Sequence, residues 1–169
     1  MLPSPATRLP IVVLGIGNTL MGDEALGVRA VEALQDRFAG EPSLTFLDGG
    51  TMGLALLPWI ESADRLLICD AVSGGQAPGF LYELHDGEIP AMRGLALSLH
   101  QIGLQEMLAL CALRDLTPAR MVLLGLEPKI LRLHRTLSDP VTAALPGLIA
   151  RGEKILDAWQ RELDPLPTL

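Results

Sequence analysis

The stretch Ile11-Val12-Val13-Leu14-Gly15-Ile16-Gly17-Asn18-Thr19-Leu20-Met21-Gly22-Asp23-Glu24-Ala25-Leu26-Gly27-Val28-Arg29 decides the fold. Its apolar, partly β-branched start reads as a strand buried on both faces. A Gly/Asn loop follows, then two adjacent acids, then a helical period with Val28, Val31 and Leu34 on one stripe. Strand, loop, acids and helix in so short a span is how an α/β protein sets a functional group at the end of its sheet.

The rest of the chain repeats the alternation. A helix is predicted from about Asp23 to Phe38, stopped by Gly40 and Pro42. Ser43 to Leu47 reads as a second strand leading into Asp48-Gly49-Gly50-Thr51, with a short helix over 53–60. Arg65 to Cys69 reads as a third strand ending in Asp70-Ala71, and Val72 to Pro78 as a glycine-rich loop. Gly79 to His85 alternates in part, as an edge strand with one wetter face would. Ser98 suits the N-cap of a helix over 99–113. Arg120 to Leu126 is a fifth strand closed by Glu127-Pro128, and a last helix starts at Asp139-Pro140 and reaches Trp159. This order predicts a three-layer α/β/α sandwich with a mostly parallel sheet. Residues 1–9 read as a flexible leader, 10–162 as a single α/β domain and 163–169 as a tail.

Composition narrows the function. At 169 residues with 49% hydrophobic content, the chain can fill a core without disulfides. Cys69 and Cys111 both lie in apolar contexts and read as buried free thiols, which suits a reducing compartment. The net charge is −7 and Lys129 and Lys154 are the only lysines, so a nucleic-acid backbone has no basic face to bind. No signal-peptide pattern and no membrane-length apolar run is present. The expectation is a cytoplasmic monomer without membrane or nucleic-acid partners.

In doubly wound sheets, ligands bind beyond the carboxyl ends of the strands. That rule selects Glu24 after strand one, Asp48 after strand two, Asp70 after strand three, and His100 in the first turn of helix three. Three carboxylates and a histidine delivered to one crevice resemble a metal site. Each also has a plainer reading: Glu24 as compensation of a helix dipole, Asp23 as a helix cap, Asp48 as a turn residue. Asp70 is harder to dismiss, since a carboxylate at the core edge needs a partner. A neutral imidazole at a helix N-terminus is a credible ligand. His85 and His134 read as exposed and without function. A dinucleotide site is disfavoured: Leu20 occupies the third glycine position of the fingerprint, and Asp23 and Glu24 would repel a pyrophosphate. No Gly-x-Ser-x-Gly elbow and no activated cysteine offers a nucleophile.

Taken in order, Gly15-Ile16-Gly17-Asn18, Asp23-Glu24 with Gly27-Val28, Asp48-Gly49-Gly50-Thr51, Asp70-Ala71, Pro78-Gly79 and His100-Gln101-Ile102-Gly103-Leu104 resemble the NiFe-hydrogenase maturation proteases. The resemblance spans about residues 10 to 160. Ala25 stands where many members carry glycine. The resemblance implies a five-stranded mixed sheet with one antiparallel strand, a place that 79–85 fits. It implies a metal-dependent endopeptidase that removes a C-terminal extension from the hydrogenase large-subunit precursor once nickel is in place. It assigns Glu24, Asp70 and His100 to nickel recognition, and Asp48 to substrate recognition or cleavage, as a candidate catalytic base or positioning group beside Glu24 and Asp70. The nickel is the ion held by the precursor, and other divalent metals can fill the same donors. The glycines around Asn18 would then let the substrate chain approach the backbone. The competing readings are a nickel-binding assembly factor that cleaves nothing, and a nucleotide-binding α/β protein.

Overall fold

The computed structural model describes residues 8–89, 96–97 and 102–163. Its main sheet runs in the order β2-β1-β3-β6-β4, with β1 Leu9–Ile16, β2 Leu44–Gly50, β3 Ala63–Ser73, β4 Leu81–His85 and β6 Arg120–Leu126. Four of these five strands are parallel; β4 runs antiparallel along the edge of β6. The two-residue β5, Ala96–Leu97, pairs antiparallel with the end of β3. The mixed five-stranded sheet and its antiparallel edge are as expected; β5 has no pattern in the sequence and was not anticipated.

Strand alternation divides the interior into two cores. Ile11, Val13, Leu67, Cys69, Val122 and Leu124 point to one face, covered by α1 (Leu26–Arg37) and α4 (Asp139–Leu163). Val12, Leu14, Leu66, Ile68, Met121 and Leu123 point to the other, covered by α2 (Leu57–Ser62) and α3, described over Ile102–Leu113. Burial on both faces is what makes the central strands continuous apolar runs. Each fully buried leucine contributes about 1.5–3 kcal/mol relative to exposure.

Several boundaries differ from the sequence reading, and in the strands hydrogen bonds from neighbouring strands extend an element past its apolar run. β3 continues through Asp70 to Ser73, because β6 pairs with it as far as Ala71 and β5 pairs with Val72 and Ser73. Val72 and Ser73 therefore belong to a strand and not to the loop. β2 likewise carries Asp48 within it, and β1 begins at Leu9. The first helix opens as a 3-10 turn, Gly22–Ala25, before α1 proper. α4 runs to Leu163. Residues 98–101, which include the proposed cap Ser98 and the candidate ligand His100, lie outside the described residues.

The glycines of the opening stretch are filled by the chain's own backbone. A Cβ on Gly17, whose φ is 137°, would stand 1.7 Å from the carbonyl oxygen of Glu24. One on Gly27 would meet the carbonyl oxygens of Ile16 at 2.2 Å and Cys69 at 2.3 Å. These contacts seat the N-terminus of α1 directly on the ends of β1 and β3. They correct the expectation that the glycines leave room for a substrate chain.

Candidate active site

The carboxyl ends of the parallel strands carry the buried acids Asp23, Glu24, Asp70 and Glu127. Glu24 and Asp70 are both fully buried. Asp70 follows the Gly15–Cys69 register pair on β3, one residue beyond the level where Gly17 and Gly27 receive the helix backbone. The 3-10 turn bearing Glu24 packs on β3. Close glycine packing thus brings Glu24 over the strand end that holds Asp70. By alternation Asp70 lies on the α2/α3 face, with Leu66, Ile68 and Val72 as its same-face neighbours. One of its carboxylate oxygens, Oδ1, accepts the Ala71 N–H at 2.7 Å.

Asp48 is placed differently. It sits in β2 opposite Gly15, two strands from Asp70, and is exposed. Alternation sets it with Leu44 and Phe46 on the α1/α4 side. The chain therefore brings Glu24 and Asp70 to one strand end, while Asp48 stands at the rim. Among the described residues no three His, Cys, Asp or Glu side chains converge to hold a metal. His85 and His134 are exposed; His85 contacts Glu83 and His134 contacts the Thr136 carbonyl.

Asp23 is not a helix cap. It lies inside the 3-10 turn Gly22–Ala25, whose N-cap position, Met21, makes no side-chain cap bond. Instead its buried carboxylate accepts the N–H groups of Lys129 (2.7 Å), Ile130 (2.8 Å) and Ser138 (2.7 Å), and the Ser138 hydroxyl at 2.8 Å. It fastens the β6–α4 loop to the turn that presents Glu24. Glu127 does the same on the other side, accepting from the Gly74 and Gln76 N–H groups and from the Tyr82 hydroxyl. Burial alone would raise the Glu127 pKa; these donors outweigh it and hold the carboxyl below its ordinary value. Sequence reasoning missed Glu127. The signal was present, since it ends β6 as Asp70 follows the core of β3.

Neither thiol is a nucleophile. Burial, followed by the Asp70 charge, pushes Cys69 up to about 12. Cys111 rises to about 11, chiefly through burial. At neutral pH both remain protonated.

A family model described as hydrogenase maturation protease matches residues 28–155. The chain belongs to the hydrogenase maturation protease family. The family assignment is matched by individual relatives. The hydrogenase expression/formation protein HupD of Bradyrhizobium diazoefficiens is 44% identical over 160 residues, which is 94% of this chain and 83% of the relative. The hydrogenase 2 maturation protease of Escherichia coli K12 is 41% identical over 136 residues, covering 80% of this chain and 83% of the relative. The solved structure of the hydrogenase maturating endopeptidase HybD from E. coli superposes with a TM-score of 0.81 at 37% identity, covering 90% of this chain and 93% of that one. A maturation endopeptidase is a hydrolase, and the buried acids at the carboxyl edge of the sheet are this chain's candidate site residues.

Proposed function

We propose that this chain removes the C-terminal extension of a NiFe-hydrogenase large-subunit precursor after nickel insertion, and that Glu24, Asp70 and His100 recognise that nickel. The observation that carries the reading is the pair of fully buried carboxylates, Glu24 and Asp70, at the carboxyl edge of the sheet in a chain of this family. Two carboxylates and an imidazole make a mixed O/N donor set suited to a borderline divalent ion. The nickel arrives as part of the substrate. An incomplete donor set on the protease docks on the ion without stripping it from the precursor, and docking places the scissile bond.

Hydrolysis adds water across one peptide bond, releasing a new carboxylate and a new amine. The metal assists by polarising the carbonyl or activating the water. With both thiols protonated, a covalent acyl intermediate has no attacking group among the cysteines. Asp48, at the rim on β2, serves as base or positions the substrate chain. The enzyme acts in the cytoplasm as a monomer; in support, no helix among the described residues is long and apolar enough to cross a membrane.

The test is the mass of a nickel-loaded precursor after mixing with the protein. The wild type shortens it; Glu24→Gln, Asp70→Asn and His100→Ala slow the cut by about 100-fold or more, the scale of losing a group that acts on the reacting centre. Processing at the normal rate by any of the three removes that residue from the site. A precursor that binds yet keeps its full mass with the wild type favours the assembly factor.

A further inference from the structure

In a chain of net charge −7, seven consecutive residues read Lys129-Ile130-Leu131-Arg132-Leu133-His134-Arg135. Lys129, Arg132 and Arg135 are spread among Ile130, Leu131 and Leu133 here, without an acid. The segment forms most of the β6–α4 loop, and its backbone faces inward. Asp23 accepts the Lys129 and Ile130 N–H groups, and the Asp23 N–H returns a bond to the Ile130 carbonyl at 2.8 Å. His134 donates its N–H to the Leu20 carbonyl at 3.0 Å and accepts that of Gly22 at 2.9 Å, a strand-like bridge centred on Met21. The loop is thus tied at several points to the turn that carries Glu24.

The side chains go the other way. Lys129, Arg132 and Arg135 are exposed, Leu133 is 80% exposed, and Leu20 beside the bridge is 58% exposed. A cavity of about 350 Å³ opens next to them, lined by Ala25, Arg29, Arg135, Thr136 and Thr142. Ala25 directly follows Glu24 in sequence, and the cavity lies on the α1/α4 side of the turn that carries both. Leu133 and Leu20 stand in water beside Lys129, Arg132 and Arg135, in a chain whose net charge is otherwise negative. Exposed leucines between the cations suit a polypeptide better than a phosphate backbone.

We infer that residues 129–135, with Leu20 and the cavity at Arg29 and Arg135, receive an acidic, leucine-compatible stretch of the polypeptide substrate and guide it to Glu24. The cations set the approach and register, and the leucines hold the bound chain. This rests on the endopeptidase reading of Glu24 and Asp70.

The experiment is steady-state processing of the nickel-loaded precursor at rising salt. Arg132→Glu/Arg135→Glu raises KM about tenfold at about 50 mM salt with kcat within about twofold, and the gap closes by about 0.5 M salt as screening removes the attraction. Leu133→Asp raises KM at both salts. Lys154→Glu/Arg161→Glu on α4 makes the same net-charge change away from the loop and keeps the wild-type KM. The inference is overturned if the loop variant has a wild-type KM at low salt, if the α4 variant loses as much, or if sedimentation shows that the face joins two copies of this chain. Cleavage at the normal rate by Glu24→Gln would overturn the site reading alone; Glu24→Gln that binds precursor without cutting it, with binding lost on adding Arg132→Glu/Arg135→Glu, supports both.

Discussion

The two ends of the parallel sheet use their acids in opposite ways. At the amino end, Asp86 accepts the Met121 N–H at 2.7 Å, while other acids meet arginines. Glu61, buried at the end of α2, pairs with Arg114 beyond α3 at 2.6 Å. Glu162 of α4 joins Arg65 and Arg120 at 3.1 Å and 2.7 Å. At the carboxyl end, Asp23 and Glu127 take main-chain N–H groups and a hydroxyl apiece. An ion pair ties one long side chain to another and leaves the backbone alone. A carboxylate accepting several N–H groups fixes the path of a loop. The end that carries the buried Glu24 and Asp70 is the end whose loops are held by acids.

If this contrast is right, three substitutions should rank in a definite order. Asp23→Ala comes first. It removes the acceptor of the Lys129, Ile130 and Ser138 N–H groups, the last of them buried, and lowers stability by about 3 kcal/mol. Urea unfolding gives the value, and amide exchange at 129 and 130 should accelerate with it; a loss below about 1 kcal/mol would mean the loop holds itself. Glu127→Gln comes next, at about 1–2 kcal/mol, with a pH signature. Its folded pKa is depressed despite burial, because Tyr82 and the Gly74, Gln76 and Gly75 N–H groups favour the charged form. A depressed carboxyl stabilises the fold above its unfolded pKa, and that contribution disappears as pH falls through the folded value. The thermal midpoint of the wild type should therefore drop more steeply on acidification than that of Glu127→Gln; parallel curves would remove Glu127 from this role. Arg120→Ala comes last. Its pair with Glu162 is half exposed, so the cost stays within about 1 kcal/mol and shrinks with salt. A larger, salt-independent loss would erase the contrast between the ends.

Much of this architecture is legible in the sequence, and the limits are physical. β1, the core of β3 and β6 announce themselves because a strand covered on both faces must be apolar throughout. The acids that follow them point to the sheet edge for the same reason. What a linear reading cannot supply is pairing. Ser73 reads as loop until β5 supplies hydrogen bonds to it. Asp23 reads as a cap because local geometry offers that bond, whereas its partners lie more than a hundred residues away. Gly15 and Gly17 read as space for a visitor, and tertiary packing gives that space to Gly27 and Glu24.

By itself, then, the opening stretch determined that a strand ends in glycines and acids and turns into a helix, which is enough to place Glu24 at the carboxyl edge of the sheet. Local periodicity and burial preference act over a few residues, so they survive in sequence. That Asp23 holds a loop while its neighbour Glu24 does not share those partners was settled only by the fold. Asp23 and Glu24 are adjacent carboxylates. Asp23 meets the N–H groups of a loop returning from the far side of the sheet, and Glu24 rides over the end of β3 where Asp70 lies. That division depends on contacts between distant segments, and no spacing along the chain encodes it.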